Sequence, residues 1–286
     1  MKDILLMAEW IDFGEMLMRR GGQSNSEIAH ARRLLDAGAE DVWGWSTTAG
    51  QERVKARVHW LKQVCNLGPG MKILECGCGT GVFTRLLAET GANITAVDIS
   101  EDLLAEARKR CSVQNVRFVQ VDLEDPKELE ANEFDALCGV SVLHHVDLYK
   151  ALMALRGKLR PGSRFAFSEP NLLNPINRYI IFTDNPEKRK RLGVSPGEVA
   201  FRPAELHAIF DSAGYMVHTL QHRDFLHPSV PRGLIPIVKI AQFIVERLPI
   251  VRCWSGSLWI SGEVYNSQNT AETGGVAEPV VDLHSS

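Results

Sequence analysis

The chain has 286 residues, of which 45% are hydrophobic and 23% charged, with a formal net charge of −3. This composition predicts an ordinary buried core and shows no basic excess of the kind that marks nucleic-acid-binding proteins. No signal-peptide pattern is present, and charged residues interrupt the most apolar late stretch, 233–251, so we expect a cytoplasmic protein without a membrane span.

Helical patterns dominate the first 66 residues. Apolar residues form one amphipathic face over 4–16 and a second over 28–35, and the polar stretch 21–26 predicts a turn between them. A third helix is predicted over 51–65. We expect this region, 1–66, to form a helical N-terminal segment.

From residue 71 onward, short apolar strands alternate with helical patterns. Such alternation predicts a parallel sheet with helices on both faces. The predicted strands are 72–75, 93–98, 116–121, 136–142 and 164–168, and the predicted helices are 83–89, 101–110 and 148–159.

The alternation of strand and helix patterns becomes less regular after Pro170. Residues 171–203 form a long segment with weak helical signals, which a compact domain rarely contains without a function. Beyond it, two helices are predicted over 203–213 and 234–247 and two strands over 215–221 and 258–264. Residues 266–286 are polar without apolar periodicity, so we expect a disordered tail.

The stretch ILECGCGTGVFT, residues 73–84, lies between the first strand and the next helix. A glycine loop at this point lets the backbone approach a ligand closely. Dehydrogenases space these glycines GxGxxG around a diphosphate, whereas this loop reads GxGxG and follows Glu75, whose charge would repel a diphosphate. Cys76 and Cys78 are poorly placed to bridge each other, and the six cysteines show no zinc spacing, so neither a thiol site nor a metal site is predicted.

The loop, together with acidic residues at successive strand ends, resembles the class I S-adenosylmethionine-dependent methyltransferases and their E/DxGxGxG signature. The resemblance covers about residues 50–220. It implies that Glu75 holds the methionine amino group, Asp98 the ribose hydroxyls and Asp122 the adenine amino group. The implied cofactor contacts are, in chain order, Trp45 with Arg53 or Arg57, Glu75, Gly77, Gly79, Gly81, Asp98 with Ile99, Asp122 with Leu123, and Val140 with Ser141.

The resemblance also implies a doubly wound, Rossmann-like α/β fold with a seven-stranded sheet of order 3-2-1-4-5-7-6, the last strand antiparallel. The expected organisation is a cofactor-binding core over 67–170, a cap insertion over 171–203 and the remainder of the sheet with a helical insertion over 204–265. The segments 1–66 and 171–203 would cap the pocket of the methyl acceptor.

Two histidines follow the fourth strand, where the acceptor of the methyl group would lie. Methyl transfer to a hydroxyl requires a positioned acceptor and a base, and His144 or His145 could supply the base. Adjacent residues point in different directions, so at most one of them is expected to face the pocket. The basic run 188–191 favours a solvated helix face, with a docking surface for an acidic substrate or for anionic headgroups as the alternative.

These features predict a methyltransferase for a small organic acceptor, with oxygen favoured as the target atom, acting as a monomer or homodimer. The alternatives are a nicotinamide-dependent oxidoreductase and a non-catalytic protein that binds the cofactor. The apolar helix over 234–248 favours core packing, and acceptor-pocket lining, peripheral contact with a lipid surface and pairing with a second subunit stay open.

Overall fold

The computed structural model describes residues 24–195 and 197–265. The predicted helical face over 4–16 and the predicted disordered tail over 266–286 lie outside the described residues. Nine α-helices are described: α1 (Ser24–Ala37), α2 (Ala39–Val42), α3 (Thr48–Val64), α4 (Val82–Ala88), α5 (Glu101–Arg110), α6 (Leu148–Arg156), α7 (Pro186–Arg191), α8 (Pro203–Ser212) and α9 (Ile235–Val245).

A seven-stranded sheet of order β3-β2-β1-β4-β5-β7-β6 forms the centre of the protein. The neighbours along β3 to β5 are parallel, and β7 runs antiparallel to both β5 and β6, which confirms the predicted order and direction. The strands are β1 (Lys72–Cys76), β2 (Asn93–Asp98), β3 (Val116–Gln120), β4 (Phe134–Val140), β5 (Leu159–Pro170), β6 (Tyr215–Arg223) and β7 (Ser257–Val264).

The core lies on both faces of the sheet. One apolar cluster includes Leu137 and Phe165, and a second includes Ile73 and Ala96, all fully buried. The central strands are therefore covered on both sides, as expected for parallel strands that carry crossover helices. Loops at the carboxyl ends of these strands remain free to bind a ligand.

Helix α1 begins earlier than the sequence indicates. Residues 24–26 are helical, so the predicted turn over 21–26 is wrong for its second half. The early start of α1 is explained by a contact with Asp122, which lies two residues after β3. The Ser24 hydroxyl donates a hydrogen bond to the Asp122 carboxylate at 2.6 Å. Helix α1 is thereby fixed against the carboxyl edge of the sheet.

The segment 171–203 contains a π-helical turn (Asn177–Ile181) and helix α7. Its start is anchored by Asn171, whose buried amide donates to the carbonyl oxygens of Cys253 and Ser255. Its end is anchored by Arg189, which donates to the carbonyl oxygens of Ser195 and Glu198. One arginine of the basic run therefore has an internal role.

Helix α9 corrects two of the sequence-based interpretations. Its residues Ile237, Ile240, Phe243 and Ile244 are all more than half exposed, so core packing does not explain its apolar character. None of its residues lines the cavity described below, so it does not form the acceptor pocket either. No helix among the described residues combines the length and the hydropathy needed to cross a membrane.

Candidate active site

A cavity of about 370 Å³ lies at the carboxyl edge of the sheet. Strand-end loops, helix α1, the region around α3 and the segment 171–203 all contribute to its wall. Most of the predicted site residues line it: Trp45, Arg53, Arg57, Gly77, Gly79, Asp98, Ile99, Asp122, Leu123, Val140, Ser141, His144 and His145. Glu75 and Gly81 do not line it.

The glycine loop requires glycine for two reasons. Gly77 has a φ of +63°, and a Cβ there would lie 2.3 Å from the Val142 side chain, so no other residue fits. Gly81 has a φ of +78° and begins helix α4, and a Cβ there would press on Ala107 of α5. Gly77 therefore shapes the cavity wall, whereas Gly81 allows two helices to pack closely.

Asp98 ends β2 and is held by the loop that it faces. One carboxylate oxygen accepts a hydrogen bond from the Gly79 amide at 2.9 Å, and the other accepts one from the Ser100 amide at 2.9 Å. Burial raises the pKa of Asp98, and these two hydrogen bonds partly offset the effect. The carboxylate is thus fixed in orientation while it still lines the cavity.

Glu75 is buried two residues before the cavity-lining Gly77. The prediction that Glu75, Asp98 and Asp122 all line one cavity therefore holds for the two aspartates only. Burial raises the pKa of Glu75 to about 8, the nearby Asp98 adds to the effect and Thr84 opposes it. Oε2 of Glu75 has no hydrogen-bond partner among the described residues.

Arg57 and Arg53 differ in how fully they are engaged. The Arg57 guanidinium is buried and donates to Asp224 at 2.5 Å and to Ser168 and Ser257 at 3.1 Å. Arg53 lies 4.0 Å from Asp224, and its guanidinium carbon lies 5.3 Å from the centre of the Trp45 ring. Nε of Arg53 and Nη1 of Arg57 have no hydrogen-bond partner in the described part of the chain.

His144 forms a buried pair with a carboxylate. Its Nδ1 lies 2.7 Å from Oε2 of Glu169, which ends β5 and is fully buried. The other oxygen of Glu169 accepts hydrogen bonds from the amides of Val142 and Leu143. Since an ionised carboxylate only accepts hydrogen bonds, Nδ1 of His144 is the donor, and in a neutral ring Nε2 then carries the lone pair.

His145 also lines the cavity, which contradicts the prediction that only one of the two histidines faces inward. The cause is a 3₁₀ turn over Leu143–His145, which brings the two rings to 4.2 Å instead of alternating them. Nδ1 of His145 lies 2.9 Å from Glu27 and 3.6 Å from Glu198. Burial alone would lower the pKa of His145, but Glu198 and Glu27 outweigh it and raise the pKa to about 9.

The two glutamates beside His145 are themselves joined through Ser195. Ser195 donates its hydroxyl to Glu27 and its amide to Glu198, both at 2.7 Å. The segment 171–203 is therefore joined to helix α1 at the cavity wall. One donor atom from each of His144, His145 and Glu198 lies within 4.8 Å of the others, a spacing that a metal ion could use and that the sequence did not predict.

Comparison with known proteins identifies the family. Residues 74–167 match the family profile described as a methyltransferase domain. A ubiquinone biosynthesis O-methyltransferase from Pseudomonas syringae pv. tomato is 32% identical over 167 residues, a match that covers 56% of this chain and 71% of the relative. The chain belongs to the class I S-adenosylmethionine-dependent methyltransferases.

Two solved structures share the fold of this methyltransferase. An S-adenosylmethionine-dependent methyltransferase from Mesorhizobium loti superposes with a TM-score of 0.55 at 21% identity, covering 73% of this chain and 99% of the other. The N-methyltransferase NodS from Bradyrhizobium japonicum, solved with S-adenosyl-L-homocysteine, superposes with a TM-score of 0.55 at 16% identity, covering 83% and 97%. The family membership sets aside the oxidoreductase interpretation, and the cofactor of this methyltransferase is S-adenosylmethionine.

The cavity of the methyltransferase fits this cofactor in its chemistry. Arg53 and Arg57 line the cavity, and Arg53 Nε and Arg57 Nη1 are buried donors without hydrogen-bond partners in the described residues, which suits the carboxylate of an amino acid group. Glu75 Oε2, which does not line the cavity, is a further buried acceptor without a hydrogen-bond partner in the described residues. The absence of a side chain at Gly77 leaves backbone at the cavity wall, where a ligand can approach it.

Three acidic residues near the histidines were missed by the sequence analysis. Glu169 ends a strand, as Asp98 does, so the strand-end rule that selected Asp98 could also have selected it. Glu27 lies 118 residues from His145, and Glu198 lies in the irregular segment 171–203. No local pattern distinguishes these two from ordinary surface glutamates.

Proposed function

We propose that this methyltransferase methylates a hydroxyl group of a small organic acceptor, with His144 as the general base. The observation that carries the proposal is the 2.7 Å contact between His144 Nδ1 and Glu169. With Nδ1 as the donor, a neutral His144 ring carries its lone pair on Nε2, and His144 lines the cavity. The name of the Pseudomonas relative, an O-methyltransferase, is consistent with a hydroxyl acceptor.

The cofactor would be held by the carboxylates and arginines of the site. Asp98, with Ile99 beside it, would accept hydrogen bonds from the ribose hydroxyls. Asp122 would accept a hydrogen bond from the adenine amino group. Glu75 would meet the amino group and Arg53 the carboxylate of the methionine portion. The loop Gly77–Gly81, Leu123, Val140, Ser141 and Trp45 would complete the contacts, and Arg57 would mainly hold Asp224 in place.

When bound, S-adenosylmethionine supplies a methyl group on a sulfonium centre that leaves as a neutral thioether. His144 Nε2 would take the proton of the acceptor hydroxyl as that oxygen forms its bond to the methyl carbon. Glu169 would stabilise the resulting imidazolium through the proton on Nδ1. His145 is a poorer base at neutral pH because its raised pKa keeps it protonated.

His145 would instead keep the cavity closed. Its charge lies between Glu27 of helix α1 and Glu198 of the segment 171–203, so it links the two segments that we propose as the cap. The cap excludes water from the reacting groups. A structural role for His145 and a chemical role for His144 follow from their different partners.

Single-residue replacements test this division of roles. Incubation of purified enzyme with isotope-labelled S-adenosylmethionine and a cell extract, followed by identification of the labelled product, would supply the acceptor. With that acceptor, His144→Asn keeps an amide donor for Glu169 but removes the base, so kcat should fall about 10²- to 10⁴-fold with unchanged cofactor affinity. A His144→Asn enzyme with full kcat would refute the proposal.

A further inference from the structure

The exposed face of helix α9 is strongly apolar. Ile237, Ile240, Phe243 and Ile244 are all more than half exposed. The opposite face holds the helix to the protein: Ile235 is buried, Gln242 accepts a hydrogen bond from the Leu226 amide, and Glu246 pairs with Arg223. Polar contacts on one side thus fix the orientation of α9, and the apolar side has no partner among residues 24–195 and 197–265.

A second exposed apolar segment lies beside the chain that follows α9. The amide of Asn174 donates to the carbonyl oxygen of Trp254 at 2.6 Å, and Asn177 donates to the carbonyl oxygen of Gly256 at 3.0 Å. These bonds join the chain at and just before the π-helical turn Asn177–Ile181 to the end of the 3₁₀ turn Val251–Trp254 and the residues that follow it. We call the exposed apolar residues of both segments the docking surface: Ile176, Tyr179, Ile180, Ile237, Ile240, Phe243, Ile244, Leu248, Ile250 and Trp254.

The charges around the docking surface are mostly basic. Residues 232–256 contain four basic residues and one acidic residue, Glu246, which faces inward onto Arg223. Residues 174–191 contain five basic and two acidic residues, and one of the five, Arg189, is engaged internally by the carbonyl oxygens of Ser195 and Glu198. Arg247 lies directly over the Phe243 ring, with its guanidinium carbon 3.4 Å from the ring centre. Cations interleaved with exposed Ile, Phe, Trp and Tyr side chains are typical of helices that lie in a membrane interface.

The docking surface adjoins the cavity. Ile181 and Phe182 follow the exposed Ile180 directly and line the cavity, and Gly256 lines it two residues after the exposed Trp254. A lipid bilayer in contact with the docking surface would therefore lie next to the cavity wall. An acceptor dissolved in that bilayer could reach the cavity without crossing water.

We infer that the docking surface binds the face of a bilayer that contains anionic lipids, with α9 lying in the plane of the interface. Resting on the proposed function, the inference also gives the class of acceptor, a lipid-soluble hydroxylated molecule. A second copy of this chain is the weaker fit, because two copies would bring like charges together around the same surface.

Vesicle flotation of the full-length protein tests the inference without any methyl transfer. We expect the protein to float with vesicles of phosphatidylcholine and phosphatidylglycerol, and much less with vesicles of phosphatidylcholine alone. The double replacement Ile240→Glu with Phe243→Glu should lower the affinity for the anionic vesicles at least tenfold. The matched control is Val113→Glu with Met153→Glu, two exposed apolar residues outside the docking surface, which should bind as the wild type does.

Circular dichroism and S-adenosylmethionine affinity must be unchanged in both double variants, which shows that each is folded. The inference is overturned if the wild type does not float, if the α9 double variant floats as well as the wild type, or if sedimentation without lipid shows a dimer that only this variant disrupts. Vesicle binding needs no acceptor, so this inference and the proposed function can fail separately. The protein could lose vesicle binding and keep His144-dependent turnover, or bind vesicles without such turnover.

Discussion

Nδ1 of His145 lies 2.9 Å from Oε2 of Glu27, a contact that joins the end of β4 to helix α1 across 118 residues. Burial opposes the charge on each partner. The pairing nevertheless lowers the pKa of Glu27 below 4.5, while Glu198 and Glu27 raise that of His145 from 6.5 to about 9. Helix α1 and the 3₁₀ turn that follows β4 are therefore held together by a part-buried ionic contact that depends on pH.

This contact predicts a pH-dependent stability. A raised histidine pKa adds stability that is complete below the unfolded value of 6.5 and is lost as pH rises through about 9. The loss in free energy of unfolding caused by His145→Gln should therefore be largest near pH 6 and should shrink towards pH 9 and above. Urea denaturation at several pH values measures it, and His59→Gln, an exposed histidine, is the control. A pH-independent difference would contradict the ionic contact.

The Glu75 carboxyl is predicted to lower the stability of the fold and to strengthen the binding of S-adenosylmethionine. Between the unfolded pKa of 4.5 and the folded value of about 8, the unfolded carboxyl is ionised while the folded one is protonated, so rising pH favours unfolding. Glu75→Gln removes this penalty and should raise the free energy of unfolding at pH 8 by at least about 1.4 kcal/mol. The same variant should bind S-adenosylmethionine at least about tenfold more weakly, because it loses the anion for the amino group.

Calorimetry at pH 8 measures both effects of Glu75→Gln. Glu130→Gln, an exposed glutamate, should change neither the stability nor the affinity. A destabilised Glu75→Gln protein, or one with wild-type affinity, would show that the buried carboxyl serves the fold instead.

The two arginines should respond differently to replacement by methionine. Arg57→Met leaves Asp224 buried without its partner and should cost about 3–5 kcal/mol of stability. Arg53→Met should have a smaller effect on stability but should weaken S-adenosylmethionine binding about tenfold. Thermal unfolding and equilibrium binding separate the two. Replacing Arg57 together with Asp224 by apolar residues should recover much of the lost stability, and no recovery would argue against the pair as the cause.

Methyl transfer is expected to survive treatment with a chelator. Three of the groups at this spacing are engaged by protein partners: His144 Nδ1 contacts Glu169, His145 Nδ1 contacts Glu27, and Glu198 accepts from the Ser195 amide. Activity should stay within about twofold of the untreated enzyme after dialysis against EDTA. A loss that Mg²⁺ or Zn²⁺ restores would instead assign His144, His145 and Glu198 as metal ligands.

The positions of the strands could be predicted because their information is local, whereas their order was implied by the resemblance to the methyltransferase family. Short apolar runs mark the strands, and Asp98 ends β2 and Asp122 follows β3 at the edge where parallel strands end together. The bounds of β2 and α5 agree with the sequence to the residue. β5 (Leu159–Pro170) is longer than the predicted strand 164–168, and at its carboxyl end the extra residues come from pairing with β7, which continues through Pro170 to Ser257, almost 90 residues away.

The histidine site could not be predicted in the same way. The 3₁₀ turn that brings both rings into the cavity depends on hydrogen bonds from the Val142 and Leu143 amides to Glu169, 25 or more residues later. The Arg57–Asp224 pair spans 167 residues. Contacts at such separations leave no periodic mark in the sequence, so only the folded chain reveals which arginine is engaged and which glutamate is buried.

Trp43 packs against the glycine loop, where its ring lies 3.3 Å from the position of a Cβ on Gly79, and both Trp43 and Trp45 line the cavity. Indole emission depends on the polarity and mobility of its surroundings. Entry of a nucleoside beside these rings would replace solvent with a stacked, less polar neighbour. The protein thus carries an intrinsic optical reporter, and a fluorescence titration could follow occupancy without a label.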